Sequence, residues 1–190
     1  MSSIRLYILS SLADGGDMHG YQLRQIAEKE HVDLWADISP SGLYAAIKRL
    51  ATEGLIEEVR TEKVGGYPER MVWRITEAGV VTLARLRREG LRKVVLRADP
   101  VDIALARLDR ANVDEVPELV RERLARLRLM LEEFEAHIRF FQQYLTPLER
   151  VVHSHRVHRL RAEIDWHESL LEQLPALLAD EAARKDQPRD

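Results

Sequence analysis

Four residues in the first third of the sequence combine hydrogen-bond donors with positive charge: Ser41, Tyr44, Lys48 and Arg49. Ser41, Tyr44 and Lys48 recur at helical spacing, so a helix would present them on one face with Arg49 beside them. Their hydroxyl groups can donate to phosphate oxygens or base edges, and the two cations can neutralise phosphate charge. The free N–H groups at the start of such a helix also favour an anion. The pattern predicts a surface that binds a nucleic acid.

Further candidates for this surface lie on both sides of the helix. Ser39 precedes it directly, Tyr21 belongs to the preceding apolar segment, and Lys63 and Arg70 enclose a turn-rich stretch. Two acidic residues accompany these last two cations, so that stretch has a net charge near zero. It is expected to follow the phosphate backbone without reading bases.

Each of these residues also has a purely structural interpretation. Tyr44 follows a core leucine and could itself be buried, whereas Lys48 and Arg49 could form an ordinary solvated face. We favour the nucleic-acid interpretation because Tyr44 lies off the apolar stripe and beside Ser41.

The helix that carries these residues has the clearest start signal in the sequence. Ser39 is a suitable N-cap, and Pro40 suits the first helical position, where its missing N–H costs nothing. Gly54 is expected to end the helix. Its predicted core stripe consists of Leu43, Ile47 and Leu50.

Two shorter helices are predicted before it. One covers Ile4 to Ala13, and the second runs from about His19 to Glu30 with Asp17 as its cap. The inner side of the second helix is expected to contain Tyr21, Leu23, Ile26 and Ala27.

The periodicity changes after Gly54. Two alternating runs, at 55–60 and 71–75, predict a β-hairpin with a long mobile loop, and Thr76 then caps a fourth helix that reaches about Leu96. This order of three helices, hairpin and helix is that of a winged helix-turn-helix. In that fold the third helix enters the major groove of DNA and the hairpin wing lies against the phosphates.

The second half of the sequence is predicted to be almost entirely helical. Seven of the nine glycines precede residue 70, and none follows Pro100. A helix capped by Asp114 carries apolar residues at strict four-three spacing, and a last helix, kinked at Pro175, repeats that spacing. Two such helices predict an antiparallel hairpin whose long seam pairs with a second copy of the chain. The residues assigned to this dimer seam are Val120, Leu124, Leu127, Leu131, Phe134, Ile138, Phe141 and Leu171.

Other chemistry has weaker support in the sequence. His155 and His158 share a helical face, but no well-placed carboxylate completes a metal site, and neighbouring arginines disfavour one. Ser41 has no evident base, and no Gly-rich phosphate loop or carboxylate pair suggests catalysis, so no enzyme activity and no cofactor are expected. Trp166 could line a pocket for an effector, although plain packing is the alternative. His167, within the seam, is expected to be buried and hydrogen-bonded.

Composition narrows the class of protein further. The 190 residues include 29 basic and 32 acidic side chains, a net charge of -3, so any nucleic-acid surface must be a local patch. The absence of cysteine excludes disulfides and thiolate metal sites. No apolar run suits a membrane span or a signal peptide, which leads us to expect a cytoplasmic protein. The expected domains are residues 1–97, residues 98–182 and a polar tail at 183–190.

Five short motifs occur in order between residues 4 and 85. They are His19-Gly20-Tyr21, Ser41-Gly42-Leu43-Tyr44, Arg49-Leu50, Glu53-Gly54-Leu55-Ile56 and Ile75-Thr76-Glu77-Ala78-Gly79. Together they resemble the PadR family of bacterial transcriptional regulators, and the second half is similar to the longer PadR subfamily, whose C-terminal helices form a homodimer. The resemblance implies repression of a nearby gene from a pseudo-palindromic operator in duplex DNA, with release by a small aromatic or lipophilic effector.

The sequence thus predicts a mainly α-helical chain with a small β-hairpin. A winged helix-turn-helix domain is followed by an all-helical antiparallel dimerisation region. The alternative is a helical adaptor that binds other proteins through its leucine seams and does not read DNA directly. Salt-dependent affinity for duplex DNA distinguishes the two, because phosphate neutralisation releases counterions.

Overall fold

A computed structural model of the chain describes residues 3–36, 38–63, 69–109 and 112–183. The chain divides into two compact units, Met1–Val95 and Leu96–Asp190. The predicted loop tip at 64–68 and the polar tail beyond residue 183 lie outside the described residues.

The first unit combines five helices with a three-stranded antiparallel sheet among its described residues. The strands are β1 (Met18–His19), β2 (Ile56–Glu62) and β3 (Arg70–Ile75), in the spatial order β1-β3-β2. The helices are α1 (Ser3–Gly15), α2 (Gly20–Lys29), α3 (Val32–Trp35), α4 (Leu43–Thr52) and α5 (Glu77–Arg92). This arrangement confirms the predicted winged helix-turn-helix, to which β1 and α3 are additions that the sequence did not indicate.

One apolar core holds this unit together. The predicted stripe of α4 is buried, with Leu43 and Leu50 fully inaccessible to solvent, and it packs with residues of α1 and α2 such as Leu9 and Leu23. Since the stripe occupies one side of α4, the other side remains exposed. The position of the candidate surface follows directly from this packing.

The turn after α4 depends on two glycines. Gly54 has a φ of 70°, in the left-handed region that glycine adopts without strain. Thr76 caps α5 as predicted, since its hydroxyl accepts a hydrogen bond from the Gly79 amide at 3.1 Å and donates one to the Gly54 carbonyl at 2.8 Å. A Cβ atom on Gly79 would lie only 2.1 Å from the Leu55 carbonyl oxygen. These contacts join α4, β2 and α5 and explain why their motifs contain glycine.

Three predicted helix starts are wrong in detail. Asp17 does not cap α2; its carboxylate instead accepts hydrogen bonds from Arg74 at 2.7 and 2.8 Å. The Ser39 hydroxyl bonds to the Ser41 hydroxyl, and a 3-10 turn at 40–42 separates Ser39 from α4. Asp114 lies within another 3-10 turn and does not cap the next long helix. All three residues lie close to the start of a helix, as predicted. The side chains of Asp17 and Ser39 bond to Arg74 and Ser41 and do not cap a helix.

The fourth predicted helix is shorter than expected. It ends at Arg92 and not at Leu96, and residues 93–99 form neither helix nor strand. Several side chains in this stretch are strongly exposed, with Leu96 at 89%. Without apolar contacts, a last helical turn is not stabilised here.

The second unit is an antiparallel helical hairpin with a short leading helix. Its elements are α6 (Pro100–Ala106), α7 (Val116–Phe141) and α8 (Pro147–Ala183). Asp99 caps α6 by accepting a hydrogen bond from the Val101 amide at 2.9 Å. Helix α8 continues through Pro175, and it packs along α7 with its own heptad positions, including Leu160, Ile164 and Leu174, buried.

A polar network crosses the middle of this hairpin. His167 is fully buried, as the sequence predicts, and its Nδ1 lies 2.7 Å from the Glu163 carbonyl oxygen. Arg123 donates from Nε to His167 Nε2 at 2.8 Å and from Nη2 to Asp99 Oδ2 at 2.5 Å. Because Arg123 only donates, the proton of a neutral His167 must lie on Nδ1. The network joins α6, α7 and α8.

We expect His153 to make the second unit sensitive to acid. His153 is buried next to Phe134, and burial lowers its pKa, an effect that Glu149 partly opposes. Its stabilising contribution is therefore complete above the ordinary histidine pKa of about 6.5 and is lost as the pH falls through the lowered value.

The test is denaturant unfolding at a series of pH values. The variant His153→Leu should lose less stability than the wild type between about pH 7.5 and 5, while His155→Leu, at an exposed position of the same helix, should follow the wild type. Equal pH dependence of all three proteins would exclude this role for His153.

Candidate nucleic-acid interface

The exposed side of α4, together with the 3-10 turn directly before it, carries the four residues from which the sequence prediction started. Ser41, Tyr44, Lys48 and Arg49 are all exposed, opposite the buried stripe. Arg49 lies near the Glu53 carboxylate, which accepts a hydrogen bond from Arg5 of α1 at 2.6 Å. The pKa of Glu53 is lowered mainly by Arg5 and to a smaller extent by Arg49. Lys48 has no acidic partner among the described residues. The helix thus presents two cations and two hydroxyl groups to solvent.

The start of α4 adds a pair of hydroxyl groups. The Oγ atoms of Ser39 and Ser41 are 2.6 Å apart, and both residues are exposed. One hydroxyl donates to the other, and the second O–H group can donate to an anionic oxygen beside the N–H groups of the helix start. Ser39 therefore keeps a place in the candidate surface although its side chain does not cap the helix.

Tyr44 lies on the surface and not in the core. It is 42% exposed, and its ring lies over Gly20, where an added Cβ would approach Tyr44 Cε1 to 3.0 Å. The glycine of the first motif thus lets α2 approach α4 closely. The ring is supported on one side, and the exposed fraction leaves its edge available to a ligand.

Tyr21 was expected on the inner side of α2, and that expectation is wrong. Its side chain is 48% exposed, while Leu23 and Ala27 are buried as predicted. The Arg70 guanidinium lies over the Tyr21 ring, 5.4 Å from the centroid, and Gln25 donates to the Tyr21 hydroxyl at 3.1 Å. The structure therefore brings Tyr21 and Arg70 together at the loop end of the wing strands.

One cation near this surface was not anticipated. Arg24 lies three residues after Tyr21 on α2, and after Glu28 both Tyr44 and Tyr21 contribute to raising its pKa. Its Nε donates to Glu28 at 2.7 Å, and Glu28 raises the pKa of Arg24. From sequence, Arg24 and Glu28 form an ordinary surface ion pair, so only the i, i+3 spacing from Tyr21 could have indicated its location.

The wing is bound to β1 by ion pairs on its outer face. Asp17 pairs with Arg74 on β3 and with Arg60 on β2, and hydrogen bonds from Arg74 are the main reason why the pKa of Asp17 is lowered. Arg60 also donates to Glu62 at 2.6 Å, which lowers the pKa of that carboxyl. Lys63 follows Glu62 and is exposed. Among the described residues, the wing cations Lys63 and Arg70 are thus attached to a firmly paired sheet.

The predicted dimer seam faces α8 of the same chain. Val120, Leu124 and Phe134 are at most 5% exposed within the single hairpin. The other assigned positions are half-buried: Leu127, Leu131, Ile138, Phe141 and Leu171. Helix α8 is 37 residues long and covers part of the seam within one chain. The assignment of these residues to a dimer remains a prediction.

Apolar side chains remain exposed on another side of the hairpin. Four of them follow one another along α8 at spacings of 4, 14 and 11 residues, which places all four on a single face of that helix. The members of this α8 face are Leu148, Val152, Trp166 and Leu177, each between 43% and 73% exposed. Trp166 also meets the His167 ring edge to face, at 4.8 Å between centroids.

The other candidate ligand sites are open or dispersed. The described part of the chain contains no group of three or more side chains that could hold a metal ion. A hollow of about 420 Å³ at the turn between α7 and α8 is lined by Arg139, Phe140, Gln142, Gln143 and Arg150, and not by Trp166. Within the described residues, no helix is long and apolar enough to cross a membrane.

Comparison with known families gives one match. Residues 8–85 match the "Transcriptional regulator PadR-like family". This segment contains all five motifs, the last of which spans the start of α5. No protein with a curated function matches the sequence.

Solved structures share the fold over nearly the whole chain. Bacillus subtilis PadR in complex with operator DNA has a TM-score of 0.67 and 20% identity, covering 90% of this chain and 98% of that one. The same protein in complex with p-coumaric acid has a TM-score of 0.63 and 17% identity, covering 91% and 96%. The Vibrio cholerae virulence activator AphA has a TM-score of 0.58 and 20% identity, covering 92% and 99%. At these identities the likeness establishes the fold.

Proposed function

We propose that this chain, which belongs to the PadR-like family of transcriptional regulators, controls transcription by binding duplex DNA through α4 and the wing. The observation that carries this proposal is the exposed side of α4. Ser41, Tyr44, Lys48 and Arg49 lie together there, opposite a stripe that is buried in the core. A helix anchored along one side and polar along the other is the element that such domains insert into the major groove.

The described geometry suggests a role for each candidate residue. The hydrogen-bonded pair of Ser39 and Ser41 would donate its second O–H group to a phosphate at the start of α4. Lys48 and Arg49 would neutralise phosphates or reach base edges one turn later. Tyr44 and Tyr21 would contact the sugar-phosphate backbone beside the groove. Lys63 and Arg70 would follow the backbone from the wing.

Recovery of bound DNA tests this proposal and identifies the site. The purified protein is mixed with fragmented genomic DNA of its source, and the retained fragments are sequenced. A recurring inverted repeat upstream of one or a few genes is the expected result. Retention of fragments without any shared sequence would contradict sequence-specific regulation.

We further propose that the protein acts as a homodimer, with the exposed apolar α8 face against a second copy. Helix-turn-helix dimers place two recognition helices in half-sites about 34 Å apart, which matches a two-fold symmetric operator. Leu148, Val152 and Leu177 on this face would be buried by the partner, because α8 already covers the buried part of the seam on α7.

A charge on this face should therefore dissociate the dimer. We expect Val152→Glu to sediment as a monomer at micromolar concentration, because a buried unpaired carboxylate is strongly unfavourable. Ala179→Glu, at an exposed position on the opposite side of α8 from this face, should remain dimeric like the wild type. A wild-type monomer, or an unaffected Val152→Glu dimer, would contradict this interface.

The direction of regulation is a separate proposal. B. subtilis PadR has been crystallised with operator DNA and with p-coumaric acid, whereas AphA, of the same fold, is a virulence activator. We propose repression with release by a small aromatic or lipophilic effector. Trp166 would contact this effector between the two subunits, because its ring on the α8 face can stack on a planar ligand there.

Fluorescence provides the test of this effector contact. The chain has three tryptophans, so ligand-dependent quenching that disappears in Trp166→Phe reports this position. An effector should reduce operator affinity at the concentrations that quench, and bound operator should weaken effector binding by the same factor. A ligand that quenches Trp166 without changing operator affinity would rule out this mechanism.

The alternative of a protein-binding adaptor has less support. Contacts between α7 and α8 occupy much of its leucine seams, which leaves less apolar surface for another protein. An adaptor would also have no need for a solvent-exposed row of cations and hydroxyls on α4.

A further inference from the structure

The first motif, His19-Gly20-Tyr21, lies where three DNA-facing elements meet. His19 ends β1 and directly precedes α2, which begins at Gly20. On one side of this junction is the end of the wing, and on the other is α4. Each of the three residues contacts a different element.

The two outer residues of the motif hold the two strands of the wing. His19 Nε2 lies 3.4 Å from the Glu62 carboxylate at the end of β2. The Tyr21 ring lies under the Arg70 guanidinium at the start of β3. Glu62 and Arg70 are partners in the sheet register, so both contacts act on the same rung of the wing.

The middle residue contacts the recognition helix. Tyr44 packs against Gly20 so closely that even a Cβ atom there would meet its ring at 3.0 Å. One tripeptide therefore sets the distances from α2 to both wing strands and to α4. A displacement of any of these elements would have to break one of the three contacts.

We propose that His19-Gly20-Tyr21 is a positioning junction that couples the wing to α4, so that Lys63 and the cations of α4 reach DNA phosphates at the same time. His19 is its main positioning residue, acting through Glu62 on the neighbouring Lys63. This inference rests on the proposed function, since it specifies how the DNA-binding surface is assembled.

The charge of Glu62 supports a positional role. Its side chain is one-third exposed, and its carboxylate is held in the ionised form by Arg60 and His19. On charge alone, an ionised carboxylate beside a phosphate-binding lysine weakens DNA binding. The contact between Glu62 and His19 positions the wing, and we infer that this effect outweighs the repulsion between the Glu62 carboxylate and DNA phosphates.

The opposite signs of the two effects make the proposal testable. In duplex-binding measurements with the full chain, Glu62→Ala and His19→Ala should both weaken affinity, and the slope of log K against log salt should decrease in magnitude by about one, as for the loss of one phosphate contact. Glu69→Ala removes an exposed wing carboxylate that lies outside the junction, and it should bind as tightly as the wild type or more tightly.

A double-mutant cycle with Lys63→Ala tests the route of the effect. In the Lys63→Ala background, Glu62→Ala should cause little further loss, because the contact that it positions is already absent. Thermal unfolding should be nearly unchanged by Glu62→Ala, since partly exposed ion pairs contribute little to stability.

Two outcomes would overturn the inference while leaving the proposed function intact. The first is tighter binding by Glu62→Ala, equal to that of Glu69→Ala. The second is an undiminished loss in the Lys63→Ala background. A wild-type chain without salt-dependent duplex binding would instead overturn the proposed function, and the inference with it.

Discussion

Replacing Lys48 and Arg49 together by alanine should weaken the affinity for operator DNA by about 100-fold at ~0.1 M salt and reduce the salt slope by about two. Both side chains are exposed on the side of α4 that faces away from the core. Their loss therefore removes two cationic contacts with DNA and no core packing. Thermal unfolding should change little, because exposed substitutions outside the core usually alter stability by less than about 0.5 kcal/mol.

A charge-matched control separates local contacts from the overall field. Lys29→Ala with Arg92→Ala removes the same charge from the last turns of α2 and α5, both away from the start of α4. This variant should retain most of the wild-type affinity. Operator binding by the Lys48 and Arg49 double variant equal to that of the wild type, at matched salt, would refute the docking of α4 in the groove.

The second large effect is expected on folding, from Gly79→Ala. The added Cβ would lie 2.1 Å from the Leu55 carbonyl oxygen and 2.7 Å from Ile75 Cγ1. The first neighbour is backbone and cannot rotate away, so α5 would have to move off β2. We expect a loss of about 2–3 kcal/mol or more, as for other overpacked sites.

Denaturant unfolding of the full chain measures this loss. Ala78→Val adds more volume at the preceding, exposed position of α5 and should cost far less. A Gly79→Ala variant as stable as the wild type would show that the contact between α5 and β2 can relax, contrary to our account of the motif.

Local sequence signals predicted the elements that carry the site. The stripe of Leu43, Ile47 and Leu50 located α4 and its exposed side, and Thr76 located the start of α5. These signals are strong because each depends on residues within one or two helical turns. Strand β1 has only two residues and α3 only four, too few for any periodicity to appear.

Long-range partners account for the remaining differences. Asp17 resembles a helix cap in sequence, but its partner Arg74 is 57 residues away and offers a charged hydrogen bond. Tyr21 was expected inside because it opens an apolar helix, yet the Arg70 guanidinium covers its ring from the wing. Such pairings depend on the fold and have no local signature.

The heptad seam illustrates a different limit. Its four-three spacing correctly predicts that α7 packs along another helix. Periodicity carries no information about which chain supplies that helix, and the structure places α8 of the same chain against Val120, Leu124 and Phe134. The exposed α8 face then becomes the surface proposed for a second copy.

The salt dependence of duplex binding tests the central claim most directly. The affinity of the full chain for a duplex carrying the recovered operator is measured between about 50 and 200 mM salt, with a scrambled duplex as the control. If α4 and the wing contact phosphates, log K should fall linearly with log salt for both duplexes, by several units of slope, with the operator bound more tightly throughout. Affinity that is indifferent to salt, or equal for the two duplexes, would contradict a DNA-binding regulator.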